Sequence, residues 1–190
     1  GVDPYRYFLL SETPFGEDGT FSEEALINRF NTNLANDLGN LLHRSLTMCE
    51  KYFGGQIPEG ISSQCVGSLK DHVNTLMPTL ASFMDKLAFS EALSEIWVLI
   101  NQANKFIEEN APWTLSKEGK TEELKKVIVS LMEVLKVTAQ SVWPFMPSTG
   151  EAIWKQLGLQ GRPNEAPFKD NMWGFFDKGG KIAKGAPLFP

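Results

Sequence analysis

Residues 90–110 read SEALSEIWVLINQANKFIEEN, and this stretch decides the fold. Leu93, Ile96, Trp97, Ile100, Ala103 and Ile107 recur at steps of three and four, so on a helix they share one face. Ser90 stands where a side-chain cap would start that helix, and Asn110-Ala111-Pro112 ends it. No segment alternates with period two for long enough to build a sheet, so the expectation is an all-α protein.

Downstream, Leu124, Ile128, Leu131, Leu135 and Val142 predict the inner face of a helix from Thr121 to Val142, closed by Pro144 and Pro147. A short helix is expected over Gly150–Leu157. Upstream, residues 63–87 predict a helix broken near Met77-Pro78. Before it, Ser22 opens a long helix with Glu23 and Glu24 in its first turn, where they favour the positive end of the dipole. That helix runs to Phe53, stops at Gly54-Gly55, and turns Leu34, Leu38, Leu41, Leu42 and Cys49 inward. Asp3 and Pro4 predict a short first helix to Leu10, capped by Asp3, then a loop through Thr13-Pro14-Phe15-Gly16. After Gly158 the chain is rich in Gly and Pro, with Trp173, Phe175 and Phe176 spaced through it, and reads as an extended strap. The predicted architecture is a bundle of about five helices with an extended C-terminal tail. Its expected parts are residues 1–20, the helical domain 21–157 and the strap 158–190.

With 190 residues, 42% hydrophobic and 22% charged, the chain is long enough to bury a core and is composed like a soluble globular domain. A net charge of −5 excludes a wholesale basic nucleic-acid binder, so any RNA contact must be local. Cys49 and Cys65 lack C-x-x-C spacing, and His43 and His72 complete no ligand pattern, so idle thiols and no metal are expected. No apolar run approaches the ~18 residues of a membrane span. Gly1-Val2-Asp3-Pro4 carries neither an initiator Met nor a basic signal region, which predicts a portion of a longer, cytoplasmic polypeptide.

The sequence holds no nucleophile constellation and no G-x-x-x-x-G-K-[ST] loop, and Lys178-Gly179-Gly180-Lys181 reads as a flexible turn. Glu108-Glu109 and Glu122-Glu123 fall on polar faces and read as solvated. Two features are less bland. Asn33, Asp37, Asn40 and Arg44 follow at steps of four, three and four, which at ~100° per residue gathers them within about 60°. Asn and Arg hydrogen-bond base edges, whereas a solvated helix face prefers Glu, Lys or Gln. The alternative is that Asn33 and Asp37 bond to loops or neighbouring helices. The second feature is Trp113, which follows Pro112 just past a helix end and off its apolar stripe. A proline-fixed indole can stack on an unpaired base, or fold back as a lid on the bundle.

In order along the chain, Gly1-Val2-Asp3-Pro4-Tyr5-Arg6-Tyr7-Phe8-Leu9-Leu10, Pro14-Phe15-Gly16-Glu17-Asp18-Gly19, Asn36-Asp37-Leu38-Gly39-Asn40-Leu41-Leu42-His43-Arg44, Ala111-Pro112-Trp113 and Gly185-Ala186-Pro187-Leu188-Phe189-Pro190 resemble the C-terminal part of the methionyl-tRNA synthetases. The resemblance covers the whole chain. It implies an anticodon-binding domain in which Trp113 contacts the first anticodon base, Asn40 and Arg44 hydrogen-bond the anticodon, and Pro112 fixes the turn. The implied partners are the anticodon loop of methionine tRNA and the catalytic domain of the same parent chain, with no membrane. No cofactor is expected in this portion. ATP with magnesium, and zinc on the family's insertion cysteines, belong to the catalytic half, whose HIGH and KMSKS motifs do not occur here. The portion would then bind RNA without adenylating methionine. A competing expectation is a structural module that docks the catalytic half through the first segment and the aromatic tail, with minor RNA contact. His43 and the acidic balance depart from a simple RNA-binding pattern, and Arg29, Lys51, Lys105 and Lys117 are the cations available for a local patch.

Overall fold

The computed structural model describes residues 1–13, 16–19, 21–65, 67–166 and 172–189; Pro14-Phe15 and Pro190 of the motifs quoted above lie outside them. It is an all-α bundle with an extended C-terminal tail. The first helix, α1, spans Val2–Glu12. Asp3 does not cap it. Its carboxylate instead accepts from the Thr149 backbone N–H (2.7 Å) and hydroxyl (2.9 Å), across the bundle.

Ser22 opens the long helix as expected, its Oγ accepting from the Ala25 N–H at 3.2 Å. The helix continues to Phe53 but is wound in three pieces: α2 (Glu23–Arg29), a π-helical segment (Phe30–Gly39) and α3 (Asn40–Phe53). It stops where Gly54, at φ 61, lets the Gly54 and Gly55 N–H groups bond back to the Glu50 and Cys49 carbonyls. Gln56–Ile57 (β1) then pairs antiparallel with Gly180–Lys181 (β2), so the Gly179-Gly180 turn is tied to the bundle rather than loose.

The next helix, α4 (Ser68–Asp85), passes through Pro78 without breaking. Pro78 faces solvent, where the Asn74 carbonyl that loses its helical donor can be hydrated. The expected stripe of α5 (Phe89–Asn110) is buried throughout, with Leu93, Ile96, Trp97, Ile100, Ala103 and Ile107 all at 5% exposure or less. Ser90 is not its cap. The helix begins a residue earlier, and the Ser90 hydroxyl donates to Glu91 instead.

A short helix, α6 (Pro112–Lys117), leads to α7 (Thr121–Val142) and α8 (Pro147–Gln156). Every residue of α7 from Val127 to Val142 is buried, not only its predicted inner face. One side packs on α4, α5 and α8, and the tail covers another. Glu133, fully buried on that covered side, accepts from the Ser62 hydroxyl (2.7 Å) and the N–H groups of Phe176 (2.8 Å) and Phe175 (3.2 Å). Trp173 donates its indole N–H to the Ser62 carbonyl, and Lys136 sits 5.0 Å from the centre of the Phe175 ring. The tail aromatics therefore pack on α7. Among the described residues no helix is long and apolar enough to cross a membrane.

Candidate nucleic-acid interface

Two rungs join the helix bearing Asn40 and Arg44 to the last turns of α5. In the first, the Asn104 amide donates to the Asp37 carbonyl at 3.1 Å. In the second, one helical turn further along α5, Glu108 accepts from Arg44 Nη2 at 2.5 Å. Burial of Leu34, Leu38, Leu41 and Leu42 fixes which way this helix faces, and leaves Asn40 exposed and Arg44 half-buried beside α5.

The π segment changes the geometry inferred from uniform helical spacing. Asn33 and Asp37 lie inside the wide turns, whereas Asn40 and Arg44 begin ordinary α-helix. Asn33 lines a cleft between α1, α2 and α5 with Tyr7, Arg29 and Trp97. Burial raises the Asp37 carboxyl above the usual carboxylate range, with the Trp97 indole opposing that shift. Asp37 thus engages α5 and Asn33 lines the cleft beside it, while Asn40 and Arg44, one turn apart, share a face of α3.

Just past Glu108, α5 ends with the Asn110 amide donating to the Phe106 carbonyl. Ala111 follows in the left-handed region at φ 39. Its carbonyl accepts from the Thr114 (2.7 Å) and Leu115 (3.2 Å) N–H groups and so starts α6. Pro112 is buried at the first position of α6, suited to it by its fixed φ and missing N–H. Leu115 packs against the core on the next turn. Between these anchors Trp113 is left 40% exposed, on a short helix rather than in a loop. Lys117, one turn beyond it, is also exposed.

Three of the other cations have partners of their own. Arg29 pairs with Glu12, Lys51 lies over Tyr52, and Lys105 pairs with Glu109 on its own helix. Glu108 was legible only as a solvated carboxylate; its one usable signal was the step of four from Asn104, which puts both on one face of α5. Cys49 and Cys65 are free and buried, and burial pushes the Cys49 thiol up to about 11. Among the described residues no three His, Cys, Asp or Glu side chains gather in a geometry that holds a metal ion. What the surface offers is an exposed indole, an exposed carboxamide and a guanidinium held by one carboxylate: groups that stack and hydrogen-bond.

Residues 1–46 match the family model of class I tRNA synthetases (M), and residues 57–189 match that of the anticodon binding domain of methionyl tRNA ligase. Over its full length the chain is 45% identical to a methionine–tRNA ligase of Caldanaerobacter subterraneus, of which it covers 30%. It is 41% identical to that of Bacillus subtilis, of which it covers 29%. The chain therefore spans under a third of these relatives. Among solved structures, Mycobacterium tuberculosis methionyl-tRNA synthetase in complex with methionyl-adenylate superimposes on the whole chain with a TM-score of 0.87 at 32% identity, over 38% of its own length.

Proposed function

The chain belongs to the methionyl-tRNA ligase family, and we propose that it reads the C-A-U anticodon of methionine tRNA for a parent enzyme that charges that tRNA with methionine. Trp113 stacks on the first anticodon base, a cytosine. Asn40 and Arg44 hydrogen-bond base edges, Pro112 holds the indole in place, and Lys117 is placed for a phosphate. The observation that carries the proposal is that Trp113 remains 40% exposed on a helix start fixed by a buried proline, just past the turn of α5 that holds Arg44. Base–aromatic stacking is worth roughly 1–3 kcal/mol, enough to anchor one nucleotide on a protein whose net charge does not favour RNA.

Residues 21–157 form the reading domain in this proposal, residues 1–20 join it to the catalytic side, and residues 158–190 strap the bundle. ATP with magnesium, and zinc, act in parts of the parent outside the span of this chain, and the parent is cytoplasmic. One observation favours a docking role beside RNA reading. Val2, Tyr5, Leu9 and Phe21 are 74%, 47%, 48% and 56% exposed, an apolar face on and beside α1 that suits the catalytic domain of the parent.

The test is binding of the chain to a C-A-U stem-loop and to one with a changed first anticodon base. Tighter binding to the first, with the difference lost in Trp113→Ala, supports the proposal. Equal binding of the two stem-loops, or discrimination that survives Trp113→Ala, removes the stacking role.

A further inference from the structure

Asn40 sits on a change of helical winding. Its N–H donates to the Ala35 carbonyl, the wide bond of a π-helix, and to the Asp37 carbonyl, while the residues after it are α-helical. A π-turn holds about one residue more than an α-turn, so losing a wide turn rotates everything beyond it by about 100°. Such turns are rare and need support from outside the helix.

Here the support comes from the far end of the chain. The Phe189 ring stands edge-on to Phe30, with centroids 5.9 Å apart and planes at 82°. The same ring lies 3.4 Å from where a Cβ on Gly39 would sit, a position also 3.2 Å from the Leu34 carbonyl. One side chain thus spans the first and last residues of the π segment, in contact with Phe30 and beside Gly39. Gln156 delivers the tail to this place. Its backbone carbonyl accepts from Ala183, and its side chain accepts from the Gly185 N–H (3.0 Å) and donates to the Ala186 carbonyl (3.0 Å).

We infer that Phe189 is a positioning residue for anticodon reading: by bracing the π segment it sets the rotation at which Asn40 and Arg44 meet the RNA. This rests on the function proposed above. Rewinding the segment as α-helix would swing both side chains off the face they share with Glu108.

The experiment is a double-mutant cycle on the full chain, binding the C-A-U stem-loop and one with a changed first base. Phe189→Ala is expected to weaken C-A-U binding about tenfold, ~1.4 kcal/mol, and to shrink the ratio between the two RNAs. With Asn40→Ala already present it should cost clearly less, the share carried by Arg44 alone, and Phe189→Leu should restore most of the loss. Amide exchange at Asn40 and Arg44 should quicken in Phe189→Ala while α7 stays protected. The inference is overturned if Phe189→Ala keeps the ratio, or costs the same with and without Asn40. Should Phe189→Ala lose α7 protection, Phe30→Leu carries the test by removing the ring's edge-on partner, and an unchanged ratio there also overturns it. If Asn40→Ala itself leaves binding unaltered, the anticodon proposal falls; if Asn40→Ala weakens binding and Phe189→Ala does not, only the bracing falls.

Discussion

Arg44 Nη2 lies 2.5 Å from Glu108 Oε1, so the guanidinium proposed to meet RNA is held by a carboxylate from another helix. Both side chains still reach water, at 37% and 59% exposure, and such a pair is worth about 0–1 kcal/mol to folding. Glu108 then matters to binding more than to stability. Removing its charge takes away both a competitor for Arg44 and a repulsion on phosphates. Glu108→Gln is expected to leave the melting temperature nearly unchanged and to tighten binding of C-A-U and altered stem-loops alike, several-fold, with less discrimination between them. Weaker binding of both, measured by titration at fixed salt, would mean that Glu108 aims Arg44 rather than restrains it.

Glu133 is the opposite kind of carboxylate, fully buried and serving three donors from two segments. Glu133→Ala strands those donors and removes the charge that favours the ammonium of Lys136, itself 4% exposed. The expected loss is about 3–5 kcal/mol, because each buried donor left without an acceptor costs about 1–3 kcal/mol. Glu133→Gln, which still accepts hydrogen bonds, should lose about 1–3 kcal/mol. Urea unfolding followed at Trp173 measures both. Equal losses for the two variants would place the effect in packing rather than in hydrogen bonding.

Lys136 gives the chain a stability change in alkali. Burial pushes its ammonium down to about 8 from the ordinary 10.5, with Glu133 opposing. Between those values the unfolded chain holds more protons at this site than the folded one, so stability rises with pH there. Glu133, raised by burial, works the other way: its contribution falls as pH climbs from the ordinary 4.5 toward its folded value. Lys136→Met should remove the alkaline gain. The stability difference, wild type minus variant, is expected to grow from pH 8 to 10, and a flat difference would sink the assignment.

How much of this was readable beforehand depended on whether a feature was local. The α5 stripe and the Thr121–Val142 boundaries follow from period and punctuation, and both match the structure. Full burial of α7 was not readable, because Glu133 and Lys136 look like surface residues until a tail with no period of its own closes over them. The π segment was equally hidden: spacing counted at a single pitch cannot show a wide turn whose brace, Phe189, lies far away in sequence. Ser90 and Asp3 misled for one reason. Each is a competent cap, but a neighbouring start for α5 and the first turn of α8 won them. Of the interface, Trp113, Asn40 and Arg44 stood out by residue type, whereas Glu108 became visible only when α3 and α5 were packed together.

Asp3 links α1 to the start of α8, and it is 8% exposed. Its two bonds to Thr149 do the work of an N-cap supplied from a distant helix, while Arg6 donates to the Phe145 and Pro144 carbonyls at the same corner. Loss of a cap costs about 0.5–2 kcal/mol. Asp3→Ala is therefore expected to lose about 2 kcal/mol, near the upper end because the site is buried, and Asp3→Asn about half of that. Thermal melts settle the size, and amide exchange at Thr149 should rise in step. A stability loss without faster exchange at Thr149 would put the effect in α1 itself.

Leu87 and Ala111 are the two non-glycine residues at positive φ among those described, at 55° and 39°. That conformation costs an L-residue roughly 1–2 kcal/mol, and glycine would relieve it while losing about 0.5–1 kcal/mol of chain entropy. Each glycine variant should then melt slightly higher, by a gain of about 0.5–1 kcal/mol. Their effects on RNA should differ. Leu87 is an exposed turn residue between α4 and α5, remote in sequence from both α3 and α6. Ala111 accepts the first hydrogen bonds of α6 and sets the angle from which Trp113 leaves the bundle. Leu87→Gly is expected to bind the C-A-U stem-loop as the wild type does. Ala111→Gly should bind several-fold more weakly despite its stability, because the indole must then be ordered at the moment of binding. Wild-type affinity in Ala111→Gly would mean that buried Pro112 and Leu115 hold Trp113 without help from the strained residue.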